Sequence, residues 1–264
     1  MSTLNATPAL ELDGVTMRIA GLTAVDNASF AVPAGKIVSL IGPNGAGKTT
    51  TYNVISGYMK PTAGRIRLFG HDITGMAPEQ ISQLGLVRSF QRTSIFSACT
   101  VAENIRTALH LKGSCGVLQA LLRTPRFRRE EASLRHEADE LMAFLGLSAR
   151  ADELASNLSY GEQRLLGVGL ALAAKPKVLL LDEPAAGLNP SETESFKEMV
   201  RRIGQSGVTV LLVEHDMHMV MSISDHIVVL NYGRLIATGS PSEIQNDPEV
   251  IRAYLGSGIE RAEA

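Results

Sequence analysis

Apolar and polar positions follow a definite order along this chain. LELDGVTMRI (10–19) partly alternates, ASFAV (28–32) follows a turn, and KIVSLI (36–41) is an apolar run, so residues 10–41 predict strands. A Gly-rich loop and a helix at about 48–57 come next, then a short strand in GRIRLFG (64–70) and a short helix in PEQISQLG closed by Gly85. From about 92 to 175 the spacing becomes mostly helical. Thr124 and Pro125 form a helix start, and Leu134, Ala138, Leu141 and Leu145 recur at helical spacing up to Gly146. After 175 the alternation of strand and helix resumes. KVLLLD, VTVLLVE and HIVVL read as strands, PSETESFKEMVRRIG and DMHMVMSIS as helices, and HIVVL and RLIATG as a hairpin around Asn231-Tyr232-Gly233. This pattern predicts one α/β core with a mostly helical lobe inserted in its middle.

Composition narrows the function. The chain has 264 residues, 45% of them hydrophobic, which suits one large α/β unit with a real core. Lys and Arg number 25 against 27 Asp and Glu, and this balance argues against a nucleic-acid partner. The basic run Arg123, Arg126, Arg128, Arg129 is local and reads as a solvated surface, or as a headgroup or partner contact. Cys99 and Cys115 have neither the spacing nor the company for a disulfide framework or a zinc site, which fits a reducing cytoplasm. The N-terminus shows no signal peptide, and the apolar runs fall far short of the roughly 20 residues a bilayer span needs. A role in transport would therefore place the pore on another chain.

GPNGAGKTT (42–50) carries the clearest chemistry. It matches G-x-x-x-x-G-K-[ST] and lies directly between a strand and a helix, the context that gives the motif its meaning. Gly42, Gly45 and Gly47 let the backbone turn tightly and bring its N–H groups toward phosphate oxygens, in a binding stretch that also includes Pro43, Asn44, Ala46, Lys48, Thr49 and Thr50. Lys48 is placed to reach the β- and γ-phosphates, and the Thr49 hydroxyl to ligate Mg²⁺. The ligand is a nucleoside triphosphate.

Downstream, VLLLDEP (178–184) is an apolar strand ending in Asp182 and Glu183. Ligand groups gather at the carboxyl ends of parallel strands, and adjacent residues point apart. Asp182 is therefore assigned to the metal, through water, and Glu183 to the base that polarises an attacking water. His215 ends the buried run VTVLLVEHD, where it has either a structural role or a contact to the γ-phosphate. Gln91, in VRSFQRTSIF, is either a loop amide or a ligand of Mg²⁺ and water. In NLSYGEQRLL (157–166), Ser159 and Glu162 have capping-box spacing, while Gly161 is a poor helix former in the first turn.

Taken in order, GPNGAGKT (42–49), Gln91, LSYGEQ (158–163), LLLDEP (179–184), AAGLNP (185–190) and His215 resemble the ATP-binding cassette subunits of ABC transporters across essentially the whole chain. The resemblance implies a P-loop ABC ATPase fold: an α/β core with a mixed sheet, an N-terminal antiparallel β region and an inserted helical subdomain at about 92–165. Residues 1–264 would form one ATP-binding domain with a C-terminal tail at about 241–264. It implies ATP and Mg²⁺ as cofactors, with Thr49, Gln91 and Asp182 at the metal and Glu183, His215, Gln91 and Lys48 in catalysis. It further implies a head-to-tail dimer, homomeric or heteromeric, in which Ser159, Gly161 and Glu162 of one chain address the nucleotide on Lys48 of the other. Partners would be two permease chains and, indirectly, a solute-binding protein, at the cytoplasmic face of the membrane.

Three positions depart from the common pattern of that family. LSYGE replaces LSGGQ, with Tyr160 at a usual glycine. Ile19 replaces the aromatic residue on which adenine stacks, leaving apolar contact from Ile19 and Val25. Asn189 replaces a usual Asp. The segments VRSFQ, LSYGEQR, LDEPAAGLNP, VEHDMHMVMSISD and DPEVIRAYLG are together similar to the larger ATPase subunit of branched-chain, hydrophobic amino acid importers, in which Tyr in the signature is usual. The long helical insert at about 112–146 fits the same group. Cassettes for urea or short amides, or for lipid and lipopolysaccharide export, are the alternatives, with a soluble ABC ATPase outside transport less favoured.

Overall fold

The computed structural model describes residues 7–89, 95–110 and 124–259, and it divides the chain into two compact units. The first comprises residues 1–88, 177–186 and 200–264, the second residues 89–176 and 187–199.

The first unit is built on two sheets. Strands β1 (Leu10–Ile19), β2 (Leu22–Val32), β4 (Ala63–Leu68) and β5 (His71–Asp72) form a four-stranded antiparallel sheet in the order β2-β1-β4-β5. The other sheet has six strands, β10-β9-β3-β8-β7-β6, from β3 (Ile37–Ile41), β6 (Leu86–Ser89), β7 (Val178–Asp182), β8 (Thr209–Val213), β9 (His226–Asn231) and β10 (Arg234–Gly239). Strands β9, β3, β8 and β7 run parallel, and β10 turns back against β9 through a hairpin, which makes the sheet mixed. Every residue of β3, β7 and β8 is buried, as their largely apolar runs require of central strands covered on both faces.

Register then places the chemistry. Leu40 and Asp182 both align with Val213, so β3, β7 and β8 end at one sheet edge. The residues that follow at that edge are Gly42, Glu183 and Glu214-His215. Helix α1 (Lys48–Ile55) begins there, and its Tyr52 is fully buried with its hydroxyl reaching the carbonyls of Leu181 (3.1 Å) and Leu211. One aromatic side chain thus ties α1 to both β7 and β8. Helix α2 (Pro78–Gln83) matches the short helix expected before Gly85.

In the second unit, α3 (Val101–His110) packs against α4 (Pro125–Leu145) and α5 (Tyr160–Ala173). Thr124 caps α4 by accepting from Phe127 N–H (3.3 Å), Pro125 takes its first position, and Gly146 closes it at φ 74°. Its apolar stripe is centred slightly differently from the expected one. Ala138, Met142 and Leu145 are buried, whereas Leu134 and Leu141 are half-buried. Helices α6 (Pro190–Gln205), α7 (Met217–Ile223), α8 (Pro241–Gln245) and α9 (Pro248–Ile259) complete the described chain. No described helix is long and apolar enough to cross a membrane.

Candidate nucleotide site

The phosphate loop is held by backbone packing that only glycine permits. A Cβ on Gly42 would lie 2.1 Å from the Leu230 carbonyl oxygen, and one on Gly47 (φ 97°) would lie 2.5 Å from that of Ala24. Both distances are below any real contact, so a side chain at either position would push the loop off its neighbouring strands. Helix α1 starts at Gly47 with no side-chain cap, which leaves its first N–H groups facing the loop as an anion site. Lys48 folds back into that loop and donates to the carbonyls of Gly42 (2.7 Å) and Pro43 (3.0 Å). Burial lowers its pKa, partly opposed by the Glu183 charge. An arriving phosphate would supply the counter-charge that the carbonyls replace only in part.

Around the loop lies a cleft of about 710 Å³ lined by Asn44 to Thr50, Ile19, Leu22, Thr23, Ala24, Glu183, His215 and Tyr232. The structure therefore brings Lys48, Thr49, Glu183, His215 and Ile19 to one cleft. Val25, expected beside Ile19 as an apolar base contact, is placed differently. It is fully buried in β2 and does not line the cleft, because strand alternation turns it to the opposite face from Ala24. Gln91 lies outside the described residues.

At the ends of β7 and β8 the carboxylates take separate environments. Asp182 is buried and accepts from Arg88 Nη2 at 2.6 Å, while Arg88 Nη1 donates to Asn53 (2.8 Å) and Ser56 (3.2 Å). Glu183 leaves the strand at φ 45°, with its N–H on the Val213 carbonyl (2.9 Å), so its side chain turns into the cleft. There His215 Nε2 lies 2.7 Å from Glu183 Oε1, and with the carboxylate ionised the imidazole N–H donates to it. Glu214 is buried behind this pair and accepts from the N–H groups of Ala185 (2.7 Å) and His215 (3.0 Å). Burial raises its pKa above the usual carboxylate range, opposed by those N–H bonds.

Arg88 and Glu214 carry no motif in the sequence that marks them as part of the site. Glu214 adjoins His215, but an apolar strand ending in Glu-His gives no sign of which side chain turns inward. Arg88 precedes Gln91 by three residues, yet its partner Asp182 is remote in sequence.

The second unit holds the other predicted group. Ser159 caps α5, accepting from Glu162 N–H (3.2 Å), while Glu162 accepts from Ser159 N–H (2.9 Å) and pairs with Arg150 (3.2 Å). Gly161 is buried and donates its N–H to Glu192 (3.2 Å), whose carbon a Cβ at 161 would approach to 2.7 Å. The N-terminus of α5 is thus engaged by an acidic side chain of the same unit. Tyr160 is half exposed, and Arg164 bonds its hydroxyl and lies 4.9 Å from its ring centroid. Glu192 also exchanges caps with Asn189: its N–H donates to Asn189 Oδ1 (3.0 Å), and its carboxylate accepts from Asn189 N–H (3.1 Å). Asn at 189 therefore serves as the N-cap of α6.

A glycine-framed anion loop opening a helix, with two carboxylates and a histidine at the carboxyl edge of a parallel sheet, defines a P-loop nucleoside-triphosphate-binding protein. Comparison with known proteins narrows the class. The family profile described as ABC transporter matches residues 25–186, and the chain belongs to the ATP-binding subunits of that family. A second profile, described as branched-chain amino acid ATP-binding cassette transporter, matches residues 234–260. The chain is 46% identical over 250 residues to the high-affinity branched-chain amino acid transport ATP-binding protein LivG of Salmonella typhimurium, covering 94% of this chain and 98% of that one. BraF of Pseudomonas aeruginosa, named for the same transport, is 45% identical over equal shares. LptB of Haemophilus influenzae, from a lipopolysaccharide export system, is 35% identical over 88% of this chain and 90% of its own. Among solved structures, the ADP conformation of the ABC transporter cassette MJ1267 superposes with a TM-score of 0.81 at 30% identity, over 94% of this chain and 99% of that one.

Proposed function

We propose that this chain hydrolyses ATP to power an importer of branched-chain, hydrophobic amino acids. The observation that carries the hydrolytic part is the Glu183–His215 pair (2.7 Å) on the same cleft as Lys48. Glu183 takes a proton from the attacking water, whose oxygen bonds to the γ-phosphorus as the bond to the bridging oxygen breaks, giving ADP and phosphate. His215 holds the Glu183 carboxylate in the cleft through its one imidazole N–H, and with nucleotide bound the same N–H can turn to the γ-phosphate. Lys48 and the α1 N-terminus carry the phosphate charge.

Among the described residues no cluster of three His, Cys, Asp or Glu side chains could hold a metal by itself. That fits Mg²⁺, which needs few protein oxygens when phosphates and waters complete its shell. Thr49, Asp182 through water, and Gln91 would hold it, and it would neutralise charge on the phosphates. Arg88 uses Oδ2 of Asp182, and the second oxygen of the carboxylate suits a bound water.

Ser159 and Gly161 belong to a different unit from Lys48, and in this reading they act on the nucleotide of a second cassette. Head-to-tail closure on ATP and reopening after hydrolysis would then drive two permease chains at the cytoplasmic face of the membrane, fed by a solute-binding protein. The solute assignment is supported by the LivG and BraF likeness and by the profile over residues 234–260. A lipopolysaccharide-export role, suggested by LptB, rests on a lower identity of 35%.

Glu183→Gln should retain ATP binding and lose turnover by at least about 10²-fold, measured as phosphate release. Undiminished release would remove Glu183 from its role. ATP-driven uptake of leucine by vesicles carrying the assembled transporter tests the solute, and uptake of urea instead would redirect the assignment.

A further inference from the structure

The hydrolytic reading leaves part of the cleft without a task. Ile19, Leu22 and Tyr232 are 41%, 70% and 76% exposed, and all three line the cleft around the phosphate loop. Single exposed apolar residues are ordinary, but three gathered on the rim of one ligand cleft call for a ligand surface. They lie beside an anion site, so the ligand they suit is apolar at one end and phosphorylated at the other.

Tyr232 is the most exposed of the three and occupies the least favourable backbone. It is the first residue of the two-residue turn between β9 and β10, at φ 45°, with Gly233 following at φ 79°. Both positive angles mark a type I′ turn, which favours Asn, Asp or Gly at the first position and disfavours a bulky ring. A tyrosine there works against its own turn and adds nothing to the core. Its position is nevertheless well fixed. Gly233 N–H donates to the Ala46 carbonyl in the phosphate loop (3.0 Å), and the Gly233 carbonyl accepts from Asp26 N–H (2.8 Å). Arg234 pairs with Asp26 at 2.8 Å. The ring is thus mounted on backbone bonded directly to the loop that holds the phosphates.

We infer that Tyr232 is the aromatic platform for the purine base of the bound nucleotide, with Ile19 and Leu22 completing an apolar rim. The inference rests on the reading of this cleft as the ATP site. Ile19 supplies apolar contact but no π face, and Tyr232 supplies that face on the same cleft. Stacking accepts every base, because each has a π face, so Tyr232 sets affinity for the nucleoside end and does not select ATP over GTP.

Four variants and one base-free probe test this. The chain contains no tryptophan, so Tyr232→Trp introduces a single reporter whose emission should be quenched by ATP and by ADP but not by tripolyphosphate. Tyr232→Asn suits the turn better and removes the ring. It should weaken ATP binding by about 5- to 100-fold, leave tripolyphosphate binding unchanged and keep or raise the Tm. Adding Ile19→Phe to Tyr232→Asn should restore most of the lost affinity, since it returns a π face to the same cleft. Lys48→Ala serves as the control that should lose both ATP and tripolyphosphate. If ATP binding depends on Lys48 and is unmoved by Tyr232→Asn, the base platform is overturned and the nucleotide site stands. If the unmodified protein binds no ATP, both readings fall.

Discussion

Glu183 leaves β7 in a left-handed backbone conformation, and a residue of this type held at φ 45° is costly by about 1–3 kcal/mol unless its surroundings enforce it. The enforcing contacts are its N–H on Val213, the His215 ring and the Glu214 carboxylate that gathers the neighbouring N–H groups. Arg88 does similar work for Asp182, and both side chains are almost wholly buried. Arg88→Ala should strand the Asp182 charge and lower stability by about 3–5 kcal/mol, read by urea denaturation. A loss under about 1 kcal/mol would show that water reaches Asp182 freely. Gly47→Ala places a Cβ 2.5 Å from the Ala24 oxygen at φ 97°. It should cost at least about 1–3 kcal/mol in thermal unfolding and abolish measurable ATP binding, because the loop must shift away from β2. The convergence of Lys48, Glu183 and His215 on one cleft was legible from motif and spacing. Arg88 and Glu214 were not, since a charged residue at the end of an apolar strand reads the same whether it faces solvent or a buried partner.

Helices and strands were legible where local chemistry marks their ends. Thr124, Pro125 and Gly146 bound α4 as their residue types require. The runs IVSLI, VLLLD and TVLLV read as strands, and their central place in the six-stranded sheet comes from its topology. The hairpin was legible from Asn231-Tyr232-Gly233 between two apolar runs, whereas the reason for Tyr232 needed the cleft. At Asn189 the reciprocal cap with Glu192 explains a residue that first reads as a departure from pattern. Asn189→Ala should lower stability by about 1 kcal/mol in chemical denaturation, and Asn189→Asp should preserve it, since either Asn or Asp oxygen caps the α6 N-terminus. The same carboxylate of Glu192 accepts from Gly161, so that glycine has a reason within its own chain besides any contact with a second one.

At the scale of the molecule, charge and assembly give two further expectations. Glu214 has its folded pKa raised by burial, so the folded state binds a proton more tightly than the unfolded chain. Its contribution is fully present below the ordinary carboxylate pKa and is lost as pH rises through the folded value. Glu214→Gln should remove that part of the pH dependence, read by urea denaturation from the usual carboxylate range upward. Ser159→Arg should leave ATP binding by a single chain intact and block turnover, because the bulky charge falls where a second cassette would close. Survival of both functions would overturn the shared-site reading. The sequence by itself determined the nucleotide chemistry and the family, because phosphate recognition uses a contiguous loop and short motifs whose residue types follow from local backbone need. Only the tertiary structure decided which remote side chains come together: Arg88 with Asp182, Glu214 behind Glu183 and His215, and Tyr232 on the same cleft as Ile19 while Val25 is buried in β2. Those pairings depend on parallel register and on strand alternation, which set the face a side chain occupies and leave no mark in a linear spacing.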